Sequence, residues 1–171
     1  MFSGKSTIAR LLQERLGYAV ISARQILREL ADDALDARVD LQRVGAEIEE
    51  RTQGQWLADA AAAIAAATSP RPVVVDSART KAQVQAVRKS LGHVHHLHLT
   101  APDAVLRRRF KSRASDLIEP ASLQEAASHP VEQETSRLGQ DADLILDSGE
   151  SSPEALLEML ISRFSDSGTT S

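Results

Sequence analysis

The feature that most constrains this chain is the run Gly4-Lys5-Ser6-Thr7, which stands at the head of a segment with helical periodicity. It matches the second half of the motif G-x-x-x-x-G-K-[ST], in which lysine reaches the terminal phosphates of a nucleotide and the hydroxyl binds Mg²⁺. The following helix would direct its positive end at the same anion. A chance Gly-Lys-Ser at an unrelated helix start is the alternative at this point. If the motif is genuine, the phosphate-binding residues are Ser3, Gly4, Lys5, Ser6 and Thr7.

Strand-like and helix-like segments alternate along the chain. Strand patterns cover 18–21, 72–76, 93–99 and 143–147, and helical patterns cover 6–16, 23–31, 41–67, 81–91, 102–113 and 153–164. Because this alternation makes βαβ crossovers, it predicts a parallel sheet covered by helices on both faces. We expect a three-layer α/β/α fold of the P-loop NTPase type over residues 1–164. The polar segment 165–171 should be a flexible tail.

A phosphate loop also requires a particular element before it in the chain. In a P-loop protein a buried strand leads into the loop. The first glycine of the full motif would lie five positions before Gly4, upstream of Met1. Without that central strand, the backbone groups of its neighbours would be left unpaired in the core. We therefore expect that the first strand is missing, and that the chain starts upstream of Met1 or is a fragment.

Composition narrows the partners. The chain has 171 residues, 42% of them hydrophobic, and a formal net charge of −4, so no basic excess favours nucleic acid or a membrane surface as partner. The absence of cysteine excludes a disulfide framework and thiolate metal sites. It is compatible with a cytoplasmic protein, the location we expect. The partner we expect is a small molecule that accepts phosphate.

A carboxylate ends the predicted strand 72–76. Asp76 follows three consecutive valines, and an acidic residue beside a phosphate loop commonly helps to hold Mg²⁺. The expected metal ligands are therefore Ser6 and Asp76, and the expected cofactors are ATP and Mg²⁺. Arg79 lies three residues further on, and an ion pair between Arg79 and Asp76 would be a purely structural alternative.

The segments after two predicted strands resemble those of the nucleoside monophosphate kinase family. These segments are Ser22-Ala23-Arg24-Gln25-Ile26-Leu27-Arg28 and Asp76-Ser77-Ala78-Arg79-Thr80-Lys81-Ala82-Gln83. Adenylate kinases carry an arginine in each segment, with a glutamine four residues after the second arginine. The resemblance implies that Arg28 and Arg79 bind the acceptor phosphate, that Arg24 belongs to the same site, and that Gln83 contacts the acceptor base.

A third segment extends the resemblance. Leu99-Thr100-Ala101-Pro102 leads into a helix that carries Arg109 and Arg113, four residues apart on one helical face. In these kinases such arginines close over the transferring phosphoryl group and stabilise its charge. The resemblance thus implies Lys5, Arg109 and Arg113 as catalytic residues. The arginines of 107–113 also fit a solvated helix face.

Departures from the family pattern leave the acceptor open. Ser77-Ala78 stands where adenylate kinases have glycine and another residue before proline, and segment 115–131 is too short for a large zinc-binding lid. A kinase for another small molecule, such as a sugar acid or dephospho-coenzyme A, is one alternative, and a nucleotide-binding regulatory module is another. The cluster His93, His95, His96 and His98 lacks a carboxylate and favours strand histidines over a metal site.

Overall fold

The computed structural model describes residues 3–30, 38–113, 135 and 137–165. Within them the order is α1 (Lys5–Leu16), β1 (Ala19–Ser22), α2 (Ala23–Leu30), α3 (Arg38–Thr52), α4 (Gln55–Thr68), β2 (Val73–Asp76), α5 (Lys81–Leu91), β3 (Leu97–Thr100), α6 (Asp103–Arg113), a 3₁₀ turn (Leu138–Asp141), β4 (Leu144–Asp147) and α7 (Pro153–Ser165). Segment 115–131 and the tail beyond Ser165 lie outside the described residues.

Local sequence signals set most of the helix ends. Gly17 ends α1 in the left-handed conformation, with φ of 70°, and its N–H bonds back to the last turn. The Ser152 hydroxyl accepts a 3.2 Å bond from Ala155 N at the start of α7. This contact confirms the helix start that Ser152-Pro153-Glu154 predicts, with a capping serine followed by proline.

Two predicted elements differ from the structure. Residues 41–67 form two helices rather than one, because Gln53 and Gly54 adopt positive φ values of 50° and 83°, which break the helical path. The predicted strand 93–99 begins only at Leu97, so His93, His95 and His96 lie in the connection that precedes β3. β-Branched and aromatic residues favour strands, and the part of the segment before Leu97 has only one β-branched residue, Val94, among its histidines.

The strands pair as two separate parallel sheets. β1 pairs with β2, with Ala19 opposite Val73 and Ser22 opposite Asp76. β3 pairs with β4, with Leu97 opposite Leu144. Parallel strands with helical crossovers agree with the predicted α/β fold class.

A cavity of about 1230 Å³ separates the two sheets. Residues of both β2 (Val73–Asp76) and β3 (Leu97–Thr100) line it, together with Lys5 and Ile8 of α1. No strand of the described chain pairs with β2 and β3 across this gap. The gap between the two sheets therefore lies between β2 and β3.

Each sheet has its own apolar core. One cluster joins α1, β3, β4 and α7; its buried members are Ile8, Leu11, Leu99, Leu146, Leu156, Leu157 and Leu160. The other joins β1, α2, α4 and α5; its buried members are Ile21, Ala23, Ile26, Trp56, Leu57, Ala58 and Val87. The small alanines of α4 allow a close approach, since Ala58 and Ala61 are completely buried.

None of the helices in the described ranges is long and apolar enough to cross a membrane.

Candidate nucleotide and acceptor site

The predicted phosphate-binding run, Ser3 to Thr7, forms a tight turn at the start of α1. Gly4 adopts φ of 86°, which suits glycine, and its carbonyl accepts bonds from Thr7 N and Ile8 N at 3.1 Å each. Ser3 is buried, and its hydroxyl accepts a 3.2 Å bond from Lys5 Nζ. The local geometry therefore places the Lys5 ammonium group beside the residue before Gly4, at the start of a helix, which is where proteins commonly bind phosphate.

The two expected metal ligands are in direct contact. Ser6 Oγ donates a 2.8 Å hydrogen bond to Asp76 Oδ2, although 70 positions separate these residues in sequence. Adjacent ligands of an octahedral Mg²⁺, at roughly 2.0–2.1 Å from the ion, lie about 2.9 Å from each other. The oxygen separation of 2.8 Å therefore fits two neighbouring positions on one Mg²⁺.

A magnesium ion in such a site needs few protein ligands, because it keeps several waters and takes oxygens from substrate phosphates. Throughout 3–30, 38–113 and 137–165, no group of three or more histidine, cysteine, aspartate or glutamate side chains is placed to hold a metal ion. A hydroxyl and a carboxylate beside a phosphate loop suit a magnesium ion shared with phosphates and not a site built from protein ligands alone.

Asp76 ends β2, and Arg79 follows three residues later in the turn that leads to α5. Ser77 adopts φ of 79°, an uncommon conformation for a residue with a side chain, and its hydroxyl donates a 2.9 Å bond to Asp76 Oδ1. Asp76 is thus oriented by hydroxyl groups on both of its oxygens. Strained residues that persist in a turn are held there by their surroundings, often at functional sites.

Gln83 lies directly behind this turn, with its side chain turned inward. It is 5% exposed, and its Oε1 accepts a 2.7 Å bond from Arg79 N. At the other end of the carboxamide, Nε2 donates a 2.8 Å bond to Glu49 Oε2. Both ends of the amide are therefore engaged within the protein, and its expected contact with an acceptor base stays a prediction.

The remaining expected acceptor residues lie on α2. Arg24 and Arg28 are one turn apart and both are exposed. Their helix follows directly after β1, whose last residue, Ser22, pairs with Asp76. Both arginines therefore extend from the helix that starts beside the candidate metal site.

The expected lid arginines have different environments. Arg109 donates from Nη1 to Ser148 Oγ at 2.9 Å and from Nη2 to the Ser148 carbonyl at 2.7 Å. Ser148 in turn donates to the Thr100 carbonyl at 3.0 Å, so Arg109 here ties together the ends of β3 and β4. Arg113 ends α6, and its side chain lies outside the described part. The lid role of both arginines stays a prediction.

His98 brings a titratable group into the cavity beside Lys5. Burial lowers the pKa of His98 below its ordinary value of 6.5, and the proximity of His96 and of the Lys5 ammonium group lowers it further. Burial also lowers the pKa of His96. The bond of His96 to the Asp141 backbone raises this pKa, but by less than burial lowers it. Both imidazoles are therefore held in their neutral form.

We expect acid pH to weaken the fold through these histidines. A lowered pKa means that the unfolded chain binds protons more readily, so the stability that neutral histidine contributes is complete above pH 6.5 and is lost as the pH falls through the folded-state pKa. Thermal melts at pH 7.5 and 5.5 should show a smaller acid-induced fall in Tm for His98→Asn than for the native chain. The exposed residue His93 provides the control variant His93→Asn, and equal falls in all three proteins would contradict the expectation.

Glu49 is the site residue that motif analysis does not find. It lies on α3 and contacts Thr80, Trp56 and Gln83 through its carboxylate. Its separation from Thr80 is 31 positions and from Gln83 is 34 positions, so no local pattern joins them. A buried glutamine at the start of α5 needs partners for its amide, but its burial is known only from the structure, and nothing in the sequence identifies Glu49 as the partner.

Comparison with known proteins gives the chain a family. The model of the family described as "AAA domain" matches residues 1–129. Among solved structures, a sugar kinase from Janibacter sp. HTCC2649 has a TM-score of 0.58 and 22% identity, over 94% of this chain and 87% of the other. A gluconokinase from Sinorhizobium meliloti 1021 has a TM-score of 0.54 and 21% identity, over 98% and 93%. Among curated protein sequences, none matches the chain. The similarity to the two solved structures supports the α/β fold. With three quarters of its length matched by one family model, the chain belongs to the AAA domain family.

Proposed function

We propose that the chain is an ATP- and Mg²⁺-dependent phosphotransferase that acts on a small acceptor. The observation that carries this proposal is the 2.8 Å contact between Ser6 and Asp76, beside the loop that presents Lys5. A loop lysine, a hydroxyl and an acidic residue at a strand end are the parts with which P-loop enzymes hold donor phosphates and Mg²⁺. When bound by Ser6 and Asp76, Mg²⁺ would neutralise charge on the donor phosphates. The protein's own part is to position donor and acceptor and to exclude water.

We favour an acceptor that is a small hydroxylated anion, of the sugar-acid kind. Such a molecule offers a hydroxyl to the donor and a carboxylate to a guanidinium, which binds carboxylates in bidentate geometry. Arg79 supplies a guanidinium on the same turn as Asp76, while the carboxamide of Gln83 is engaged within the protein. The names of the two similar structures, a sugar kinase and a gluconokinase, agree with this class of acceptor.

A nucleoside monophosphate is the second candidate acceptor. The positions of Arg28, Arg79 and Gln83 favour it, because they match those of the nucleoside monophosphate kinases. To contact a base, Gln83 would have to give up its bonds to Glu49 and to Arg79 N. The cost of leaving those buried partners unpaired is why we place this candidate second.

A panel of acceptors tests both candidates. We expect ADP formation from ATP to be stimulated most by sugar acids such as gluconate, less by neutral sugars, and least by nucleoside monophosphates and dephospho-coenzyme A. Arg79→Ala should raise the KM of an anionic acceptor by about 10- to 100-fold, the value of a lost charge-assisted hydrogen bond, with little change in the KM of ATP.

The control is Arg15→Ala, which removes an exposed arginine from the last turn of α1, away from the β2 turn. If nucleoside monophosphates are the best acceptors, the second candidate replaces the first. If the KM of ATP rises in Arg79→Ala while that of the acceptor stays constant, Arg79 belongs to the donor side. Tight ATP binding without transfer to any acceptor would instead favour a regulatory nucleotide-binding module.

A further inference from the structure

Glu49 is a half-buried carboxylate that the proposed function does not use. Its Oε1 accepts a 2.6 Å bond from the Thr80 hydroxyl. Its Oε2 accepts a 2.9 Å bond from the indole N–H of Trp56 and a 2.8 Å bond from Gln83 Nε2. Three donors from α4 and from the start of α5 therefore converge on one side chain of α3.

The carboxylate determines which way the Gln83 amide points. An ionised carboxylate only accepts hydrogen bonds, so the amide must turn its NH₂ end toward Glu49. This leaves the amide oxygen on the opposite side, where it accepts the 2.7 Å bond from Arg79 N. Because Gln83 is 5% exposed, the reverse orientation would bury a donor against a donor with little access to water.

The same carboxylate also fixes the start of α5. The Thr80 hydroxyl gives its proton to Glu49, and its oxygen accepts a 3.1 Å bond from Gln83 N as the helix cap. On the other side, Gly54 packs so closely that an added Cβ would lie 2.5 Å from Gln83 N. The first turn of α5 is thus held between Glu49 and the start of α4, directly behind Arg79.

We propose that Glu49 is a positioning residue for phosphoryl transfer. Through Gln83 and Thr80 it holds the backbone of the turn that carries Arg79, and so keeps that guanidinium in place for the acceptor. The acceptor part of this inference rests on the proposed function, in which Arg79 binds the acceptor anion. The hydrogen-bond part, from Glu49 through Gln83 to Arg79 N, can be measured without any activity.

The variant Glu49→Gln tests the inference with almost no change in volume. Its amide cannot accept from all three donors, so Gln83 loses its fixed orientation and Arg79 N loses its acceptor. We expect hydrogen exchange of the Arg79 amide to become about tenfold faster, and the acceptor KM to rise by about five- to tenfold with the ATP KM unchanged, each equivalent to one hydrogen bond of about 1 kcal/mol. The emission of Trp56, the one tryptophan among the 171 residues, should shift as its partner changes.

The neighbouring exposed residue gives the matched control, Glu50→Gln, which removes the same charge from the same helix. In the double variant Glu49→Gln/Gln83→Leu, the effect on acceptor KM should be smaller than the sum of the two single effects, because the bond between Glu49 and Gln83 is common to both. Unchanged exchange of the Arg79 amide in Glu49→Gln would overturn the inference. If Glu49→Gln has a lower Tm but the same acceptor KM as the Glu50→Gln control, the inference is also overturned. Glu49 would then only stabilise the fold. If no acceptor is phosphorylated by the native chain, the proposed function fails, and the exchange measurement still decides the role of Glu49.

Discussion

Changing Lys5 to Ala should remove phosphoryl transfer almost completely while the fold is retained. Lys5 is the cation of the phosphate loop, and its Nζ lies 3.2 Å from the Ser3 hydroxyl at the start of α1. The loss of one preorganised charge-stabilising donor typically costs about 100- to 1000-fold in kcat. The measurement is the rate of acceptor-dependent ADP formation, accompanied by circular dichroism to verify the fold.

Lys89→Ala is the matched control, since Lys89 is an exposed lysine in the last turn of α5. Its rate should equal that of the native chain. If Lys5→Ala turned over as fast as this control, Gly4-Lys5-Ser6-Thr7 would be no more than a helix start, and the proposed function would lose its donor site.

Extending the chain upstream of Met1 should raise both its thermal stability and its affinity for nucleotide. The extension consists of a strand of about 5–6 apolar, β-branched residues, followed by a loop with glycine five positions before Gly4. Such a strand would enter the cavity between β2 and β3 and pair with both. Each buried valine or isoleucine contributes about 1.5–3 kcal/mol, and part of this gain offsets the conformational entropy lost by the added residues. Because 1 kcal/mol of net gain shifts Tm by about 2–4 °C at this size, we expect a rise in Tm of several degrees.

The control extension has the same length but replaces its β-branched residues with serine and glycine, so that the number of added residues is equal and the apolar burial is lost. Calorimetry and nucleotide titration of the three proteins would separate the effects on stability and on binding. Equal Tm and equal ATP affinity for both extensions would show that the cavity does not take a strand, and would favour the regulatory-module alternative.

The sequence is sufficient to predict the fold class because its signals are local and repeated. Three valines before Asp76 and a capped start at Ser152 each specify one element, and the structure confirms both. The break between α3 and α4 could not be predicted in this way, because a single glycine within a helical pattern is often tolerated. Here Gln53 shares the positive φ of Gly54, and the close packing of Gly54 on α5, which requires the break, appears only in the tertiary structure.

In the candidate site, too, one contact could be predicted from the sequence and another could not. The closeness of Ser6 and Asp76 is expected from a phosphate-loop hydroxyl and an acidic residue at the end of a strand, which hold Mg²⁺ together in P-loop enzymes, and the structure places them 2.8 Å apart. The surroundings of Gln83 do not follow from any motif. The family resemblance directs this side chain toward an acceptor, whereas the structure directs it toward Glu49, which lies 34 positions earlier in the chain.

Helix α1 packs against both halves of the divided sheet. Its Ile8 and Leu11 belong to the core of β3, β4 and α7, and the helix also contacts β1 and β2. The phosphate loop forms the N-terminus of this same helix. A ligand that binds this loop would therefore restrain α1, which contacts both sheets. Local unfolding of one sheet and of the other would then be thermodynamically coupled. We therefore expect that, when nucleotide is bound at the start of α1, the two apolar cores unfold together in one cooperative transition.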